Sequence, residues 1–447
     1  MKTKFLISTM LLVAACGGSP KSGLVKGTSD VPPPPDVSNV KPEGSPGEEK
    51  REVSTDAKAD FAKAAEFYSA QKEWSGATCR QAADQFSAVA RAHKDLVEAQ
   101  YMVGRSYHNC NMAKEAEEAY QAALKVKSNH GASISNLGEL YYAAGKVDGA
   151  KKYWESAIKA NPKLSAAYVN LAMLQLEELR NTKDTAAWKK LEEDTRKKLS
   201  ISLAIDNENV RAYTVYGMVY MEGYQKNRNR LDLAKLLLEE GEKRNAKYAP
   251  LQHALGLLAM SKNNMTDALQ RFQAAVALDG EFAEARQNVG LILLGTRRYD
   301  VAKEQFQKVL ELEPKNYDAM IGLGIAQRGL NDLDGAEATY NKAKNLEPKR
   351  GDAYFNLGVL YFAFRAAKEN DLDKQKSTYQ NAKKYFQEFL GKEGSADDKA
   401  EAQENIKGVD KVVKQIDDFK KMQEQIDKMN AQQPPAPAPA PAAGGAK

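Results

Sequence analysis

The chain has 447 residues, with 65 Lys and Arg against 60 Asp and Glu, for a formal net charge of +5. So small an excess, with no clustered basic patch, does not call for a nucleic-acid partner. Three cysteines and four histidines, widely spread, argue against zinc clusters and Cys/His catalysis. Hydrophobic residues at 43% allow a sizeable core, and 12 of the 16 prolines fall in the first 46 or last 14 residues. An ordered, proline-poor middle therefore lies between two tails.

Lys2 and Lys4 form a charged n-region, followed by an apolar run, Phe5 to Ala14, of signal-peptide length. The run is too short for an ordinary transmembrane span. It ends in Val13-Ala14-Ala15-Cys16. Small residues directly before a cysteine resemble the cleavage site of bacterial lipoprotein signal peptides. That resemblance implies a signal peptide over residues 1–15 and a lipidated Cys16, acylated with chains such as palmitate. The other reading is a secretory signal with a chance cysteine. Gly17 stands where enteric lipoproteins retained at the inner membrane carry Asp, which favours the outer membrane, although that rule varies between bacterial groups. Acyl chains contribute ~0.8 kcal/mol per buried methylene, so several together anchor a protein without a spanning helix. Residues 16–54 are rich in Gly, Ser, Pro, Lys and Glu, with Pro32 to Pro35 in a row. They bury too little apolar surface to offset their ordering entropy and read as a disordered tether reaching about 35 Å. The folded part then stands off the membrane, facing the periplasm.

The middle repeats itself. From Gly131 to Leu164 the chain contains Leu137-Gly138, Tyr141, Gly145, Ala150, Trp154, Ala157 and Pro162. This stretch resembles the tetratricopeptide repeat (TPR), a 34-residue helix–turn–helix. Units in that register begin at Lys63, Val97, Gly131, Ser165, Val210, Ala249, Ala283, Tyr317 and Gly351, most of them 34 residues apart. Repeat position 8 is small in every unit (Ala70, Gly104, Gly138, Ala172, Gly217, Gly256, Gly290, Gly324, Gly358). Position 20 is Ala in all but the fourth, which has Thr195, and position 24 is large, from Phe86 to Phe386. Small residues let the two helices of a hairpin approach, and the large one fills the space between them. Pro162, Pro314 and Pro348 fall at position 32, where proline ends the second helix. The resemblance implies an all-α, right-handed superhelical solenoid of about nine repeats over residues 55–391. The first and fourth units are the weakest. Extra polar residues near Asn181–Ala187 and Lys368–Thr378 read as surface insertions or, alternatively, as a docking loop.

From Ala396 to Met429 apolar residues recur at Ile406, Val409, Val413, Ile416, Phe419, Met422, Ile426 and Met429, a helical spacing. Residues 392–431 are expected to form a C-terminal capping helix, whose part beyond Phe419 is free to project and pair with another helix. Residues 432–447 form a Pro/Ala-rich, disordered tail.

No Walker loop, dinucleotide glycine fingerprint or metal-ligand spacing is present, so neither an enzyme nor a cofactor or metal is expected. In the repeat family, positions 2, 5, 9 and 12 of the first helix line a concave groove. Position 9 begins polar, with Gln71, Arg105 and Glu139, and then turns apolar: Met173, Met218, Leu257, Leu291, Ile325, Val359. Position 12 adds Leu176, Met221, Met260, Leu294 and Phe362, with Arg328 between the last two. One reading is a hydrophobic groove for a partner's helix or extended segment, with Met giving adaptability. The other is burial of these side chains by superhelical curvature. Asn136, Asn170, Asn288 and Asn356 at position 6 bond either a bound peptide's backbone or the repeat itself. The lysine-and-asparagine clamp of chaperone-binding relatives is not visible as a set. In the family arrangement the start of one second helix lies beside the end of the next first helix, which implies that Cys79 and Cys110 are close. In an oxidising compartment they pair, the alternative being two buried free thiols.

The whole resembles bacterial outer-membrane TPR lipoproteins of envelope machines, such as type IV pilus pilotins and components of the myxobacterial gliding-motility apparatus. Nine repeats and the Pro/Ala tail exceed a compact pilotin, which favours the gliding type. The function implied is a non-enzymatic scaffold that binds envelope proteins through its groove and the membrane through its lipid. A recruiter of cell-wall enzymes and a periplasmic carrier of a lipidic ligand are the alternatives.

Overall fold

The computed structural model describes residues 42–43, 53–225 and 227–432. Among them are 19 α-helices and no strand, apart from one isolated bridge between Arg350 and Glu393. None of the described helices is long and apolar enough to cross a membrane. The helices form successive hairpins, a first helix A and a second helix B, within two compact units that divide between Gly280 and Glu281.

The first unit holds six hairpins. They are α1 (Thr55–Ala70) with α2 (Gly76–Ala92), α3 (Val97–His108) with α4 (Ala113–Val126), and α5 (Gly131–Ala143) with α6 (Val147–Ala160). Next come α7 (Ser165–Asn181) with α8 (Thr185–Ile205), α9 (Val210–Met221) with α10 (Arg230–Arg244), and α11 (Ala249–Ser261) with α12 (Met265–Leu278). The second unit holds α13 (Ala283–Gly295) with α14 (Tyr299–Leu312), α15 (Tyr317–Gly329) with α16 (Leu333–Leu346), and α17 (Asp352–Val359) with α18 (Leu372–Leu390). It ends in α19 (Ala396–Gln432).

Seven of the nine hairpins close by the same contact, the large position-24 side chain lying on a position-8 glycine. The ring of Tyr120 lies on Gly104 so closely that a Cβ there would fall 2.5 Å from it, and Trp154 sits likewise on Gly138 at 2.6 Å. In the second unit Tyr340 covers Gly324 and Phe386 covers Gly358 at 2.3 and 2.6 Å. The residue at position 20 is fully buried in all nine hairpins, from Ala82 to Ala382. Most A-to-B turns need a left-handed residue at position 15, supplied by Asn111, Gly145, Asn263, Arg297 and Asn331, all with φ between 54° and 76°.

The irregular hairpins have local causes. Ser54 caps α1, its Oγ accepting from the Ala57 amide, so this helix starts at Thr55 rather than Lys63. In the fourth hairpin the extra residues lengthen both helices, to 17 residues in α7 and 21 in α8. The polar residues at its packing positions find partners within it: Thr195 donates to the Leu191 carbonyl, and the Ser202 hydroxyl meets that of Ser165 at 2.7 Å. After α17 the ninth hairpin continues through a π-helical turn, Leu360–Arg365, and a 3-10 turn, Ala366–Lys368. Helix α19 closes the second unit. Its Ala402 and Val409 share a core with Tyr354, Phe386 and Phe389, and Lys376 and Lys383 of α18 pair with its Asp417 and Asp410.

Candidate partner-binding face

The A-helix face of repeats two and three forms a cleft of about 320 Å³, lined by residues that include Tyr101, Arg105, His108, Ser135, Asn136 and Glu139. They fall at repeat positions 5, 9 and 12 of α3 and 5, 6 and 9 of α5. The 3.6-residue period of a helix brings these positions to one side. At the floor, the buried Tyr120 hydroxyl accepts from Asn136 Nδ2 at 2.9 Å and meets His108 Nδ1 at 3.2 Å. The hydroxyl and the His108 ring share one hydrogen bond, and the imidazole tautomer sets which of the two donates. Burial lowers the pKa of His108, opposed by the Glu139 carboxylate and aided by Arg105. Burial holds the Tyr120 phenol far above its usual range, so it stays protonated.

Arg105 is the exposed cation of this cleft, and among the described residues its hydrogen bond is to Tyr101 Oη at 3.3 Å. No carboxylate lies within ion-pair distance of it among the described residues. Glu139, across the cleft, instead accepts from Asn170 Nδ2 at 3.1 Å. The Ser135 hydroxyl is buried at the cleft wall without a hydrogen-bond partner. The site therefore offers an exposed guanidinium beside aromatic walls, and it suits a polar segment bearing an anionic group.

The apolar strip behaves differently along its length. In the first unit Met173, Met218, Met221 and Met260 are half-buried. Leu176 and Leu257 are buried, 4% and 5% exposed. Met173 and Met218 pack with Val169, Leu199 and Val215, and Met221 with Leu231 and Leu255. In the second unit Leu291 and Leu294 are buried, while Ile325 is half-buried against Tyr317 and Leu357. Val359 and Phe362 lie in one cluster with Ile406, Val409 and Val413 of α19, so the chain itself covers that end of the strip. Arg328 interrupts the strip, buried over the Phe364 ring with Nη1 donating to Asn356 Oδ1 at 3.2 Å. The position-6 asparagines bond the array: Asn136 and Asn170 reach neighbouring repeats, and Asn356 donates to the Asp352 carbonyl.

Cys79, at the start of α2, and Cys110, just past α3, form a disulfide with Cα atoms 6.3 Å apart. Cys16 lies outside the described residues. Sequence reasoning did not reach Glu43. Its carboxylate meets Lys127 Nζ at 2.9 Å and accepts from Asn161 Nδ2 at 3.1 Å, and its amide donates to the Ala160 carbonyl at 2.7 Å. Nothing in the composition of residues 16–54 marks that docking point. The cleft did have a signal, the polar residues at position 9 that precede the apolar run. No group of three His, Cys, Asp or Glu among the described residues is placed to hold a metal ion.

Family models of the tetratricopeptide repeat match residues 97–130, 135–192, 253–300 and 293–358. Over these stretches the chain carries tetratricopeptide repeats, a repeat typically used as a non-enzymatic scaffold for binding peptides or other proteins. Among solved structures, a TPR protein of Thermus thermophilus is 25% identical, with a TM-score of 0.38, over 44% of this chain and 99% of that one. Pseudomonas aeruginosa pilF is 20% identical, with a TM-score of 0.39, over 54% of this chain and 96% of its own. A monomeric mutant of IFIT1 with Gppp-AAAA is 16% identical, with a TM-score of 0.51, over 76% of this chain and 82% of its own, a likeness of fold alone. No curated protein matches the chain.

Proposed function

We propose that the chain is an outer-membrane-anchored lipoprotein that docks other envelope proteins, as a scaffold in a cell-envelope machine of the gliding-motility type. The observation that carries this reading is a combination. A leader ending in Val13-Ala14-Ala15-Cys16 precedes a TPR array whose A-helix face leaves Arg105 exposed above a cleft and, among the described residues, without a carboxylate partner. A partner segment lies along this face, its anionic or polar part at Arg105 and Asn136. Its apolar part rests on the half-buried methionines 173, 218 and 221, whose thioethers adapt to more than one shape. Nine repeats and a Pro/Ala tail favour the gliding-type machine over a compact pilotin.

Two readouts test the proposal. Cys16→Ala is expected to shift the protein out of the membrane fraction and to remove the lipid mass. A photo-crosslinking residue in place of Ala132, on the cleft wall, is expected to capture an envelope protein in intact cells, with the yield falling several-fold when Arg105→Gln is added. Unchanged fractionation and mass would overturn the anchor. Capture that is indifferent to Arg105→Gln, or of cytoplasmic proteins alone, would overturn the docking face.

A further inference from the structure

Helix α19 serves as a cap for only part of its length. Ala402, Val409 and Ile416 are buried against the last hairpin, whereas every residue from Lys421 to Ala431 is exposed. On that free end Phe419, Met422, Ile426 and Met429 are 48%, 50%, 42% and 65% exposed. Their spacing of three, four and three residues is the a/d seam of two heptads, and it places all four on one face of the helix. The last hairpin leaves this seam uncovered, since its cluster with α19 runs only through Ala402, Ile406, Val409 and Val413.

The residues flanking the seam say what fits it. With Phe419 at a, the e and g positions that follow are Gln423, Gln425 and Asn430, all uncharged, and the g residue before it is Asp418, while Lys420, Lys421, Glu424, Asp427 and Lys428 lie away from the seam. Charged e and g residues are how a helix selects an unlike partner and repels its own kind. Here nothing selects an unlike partner and nothing repels an identical helix. Asp418, the g residue before Phe419, would face Gln423 of a second helix in parallel register, and Gln425 would face its Asn430. The first sets a carboxylate beside an amide and the second an amide beside an amide, and neither opposes like charges.

We propose that this free end of α19 pairs with the same segment of a second copy of the chain. The seam runs ~15 Å from Phe419 to Met429. Four half-exposed side chains per copy bury roughly 800 Å² in total, below the ~1,200 Å² of a stable complex. The pairing is therefore weak and reversible, and it depends on local concentration.

Ile426→Cys in the full chain, oxidised with copper phenanthroline in intact cells and run without reductant, tests the pairing. Cys16 is present in every variant and sets the background. A band at twice the mass of the chain is expected with Ile426→Cys. It should fall at least tenfold when Met422→Glu and Met429→Glu are added, and be weak with Glu424→Cys on the opposite face. All these sites are exposed, and unchanged circular dichroism would show the fold intact. Equal bands from Ile426→Cys and Glu424→Cys, persistence with both glutamates, or a band at the mass of the chain plus a different protein would overturn the proposal.

Discussion

Two single residues show how local chemistry sets the tolerance of the array. Gly145 holds φ 76° in the turn between α5 and α6, and a Cβ built on it would meet nothing within 4 Å. Substitution there costs backbone strain and nothing else. Gly145→Ala should lower stability by about 1 kcal/mol. Gly145→Asn should cost only a few tenths of that, because Asn111, Asn263 and Asn331 adopt the same conformation in sister repeats. Urea unfolding of the two variants checks this, and equal losses would refute it. His253 carries a pH dependence. Burial, helped by the charge of Arg180, lowers its pKa to about 4. In the unfolded chain it titrates near ~6.5. Between those values the unfolded chain binds a proton that the folded one refuses. The stabilisation is thus complete above the unfolded value and is lost as pH falls towards the folded one, by about 3 kcal/mol in all. His108 and His130, also lowered by burial, act in the same direction. Urea midpoints at neutral and acid pH should fall less in His253→Gln than in the parent, and an identical fall would show that His253 does not contribute.

At the scale of elements, the lengthened fourth hairpin is tied to the fifth through one arginine. Arg230 Nε donates to the Tyr220 and Glu222 carbonyls at 3.1 and 2.8 Å, covering the open end of α9. Its Nη2 meets the buried Glu192 of α8 at 3.1 Å, and its plane stacks on Trp188 and Tyr220. A lysine keeps the charge but loses the fork and the stacking. Arg230→Lys should therefore cost about 2 kcal/mol even though Glu192 keeps its pair with Arg196 at 3.0 Å, and Glu192→Gln should cost less in that background than in the parent, because the two side chains interact directly. Additive losses in a double-mutant cycle would contradict the coupling. The all-helical repeat fold was legible in the sequence because its signals are local to one hairpin: a glycine at position 8 opposite a ring at position 24, and an alanine at position 20. The polar cleft was half-legible, through Arg105 and Glu139 at position 9. The depth of the apolar strip was not legible, because the burial of Leu176, Leu257 and Leu291 depends on what surrounds the A helices, which single-repeat periodicity does not encode. The same holds for Val359 and Phe362, covered by a helix that begins more than 30 residues later.

For the whole molecule, a repeat array has stability that is nearly a sum of hairpins and their nearest-neighbour contacts, so its ends fray first. The two ends of this one are closed by different means. At the C-terminal end α19 covers the last hairpin with apolar residues and ion pairs. At the N-terminal end the first A helix, α1, fully buries only Ala57 and Ala64, with Phe61, Ala65 and Tyr68 half-buried around Phe86, and among the described residues it has no further hairpin before it. The Cys79–Cys110 disulfide, spanning 31 residues of sequence, joins the start of α2 to the end of α3 and so staples the first hairpin to the second. In the chain-entropy account a loop of this length contributes roughly 3–4 kcal/mol. Because coupling along an array reaches mainly to the next repeat, that loss should stay local. In Cys79→Ala with Cys110→Ala, amide exchange over α1 and α2 should accelerate by at least a hundredfold, while protection in α9 to α12 changes little. A uniform loss of protection would mean that the first unit folds as one cooperative block, and unchanged exchange over α1 and α2 would mean that packing alone holds the first hairpin in place.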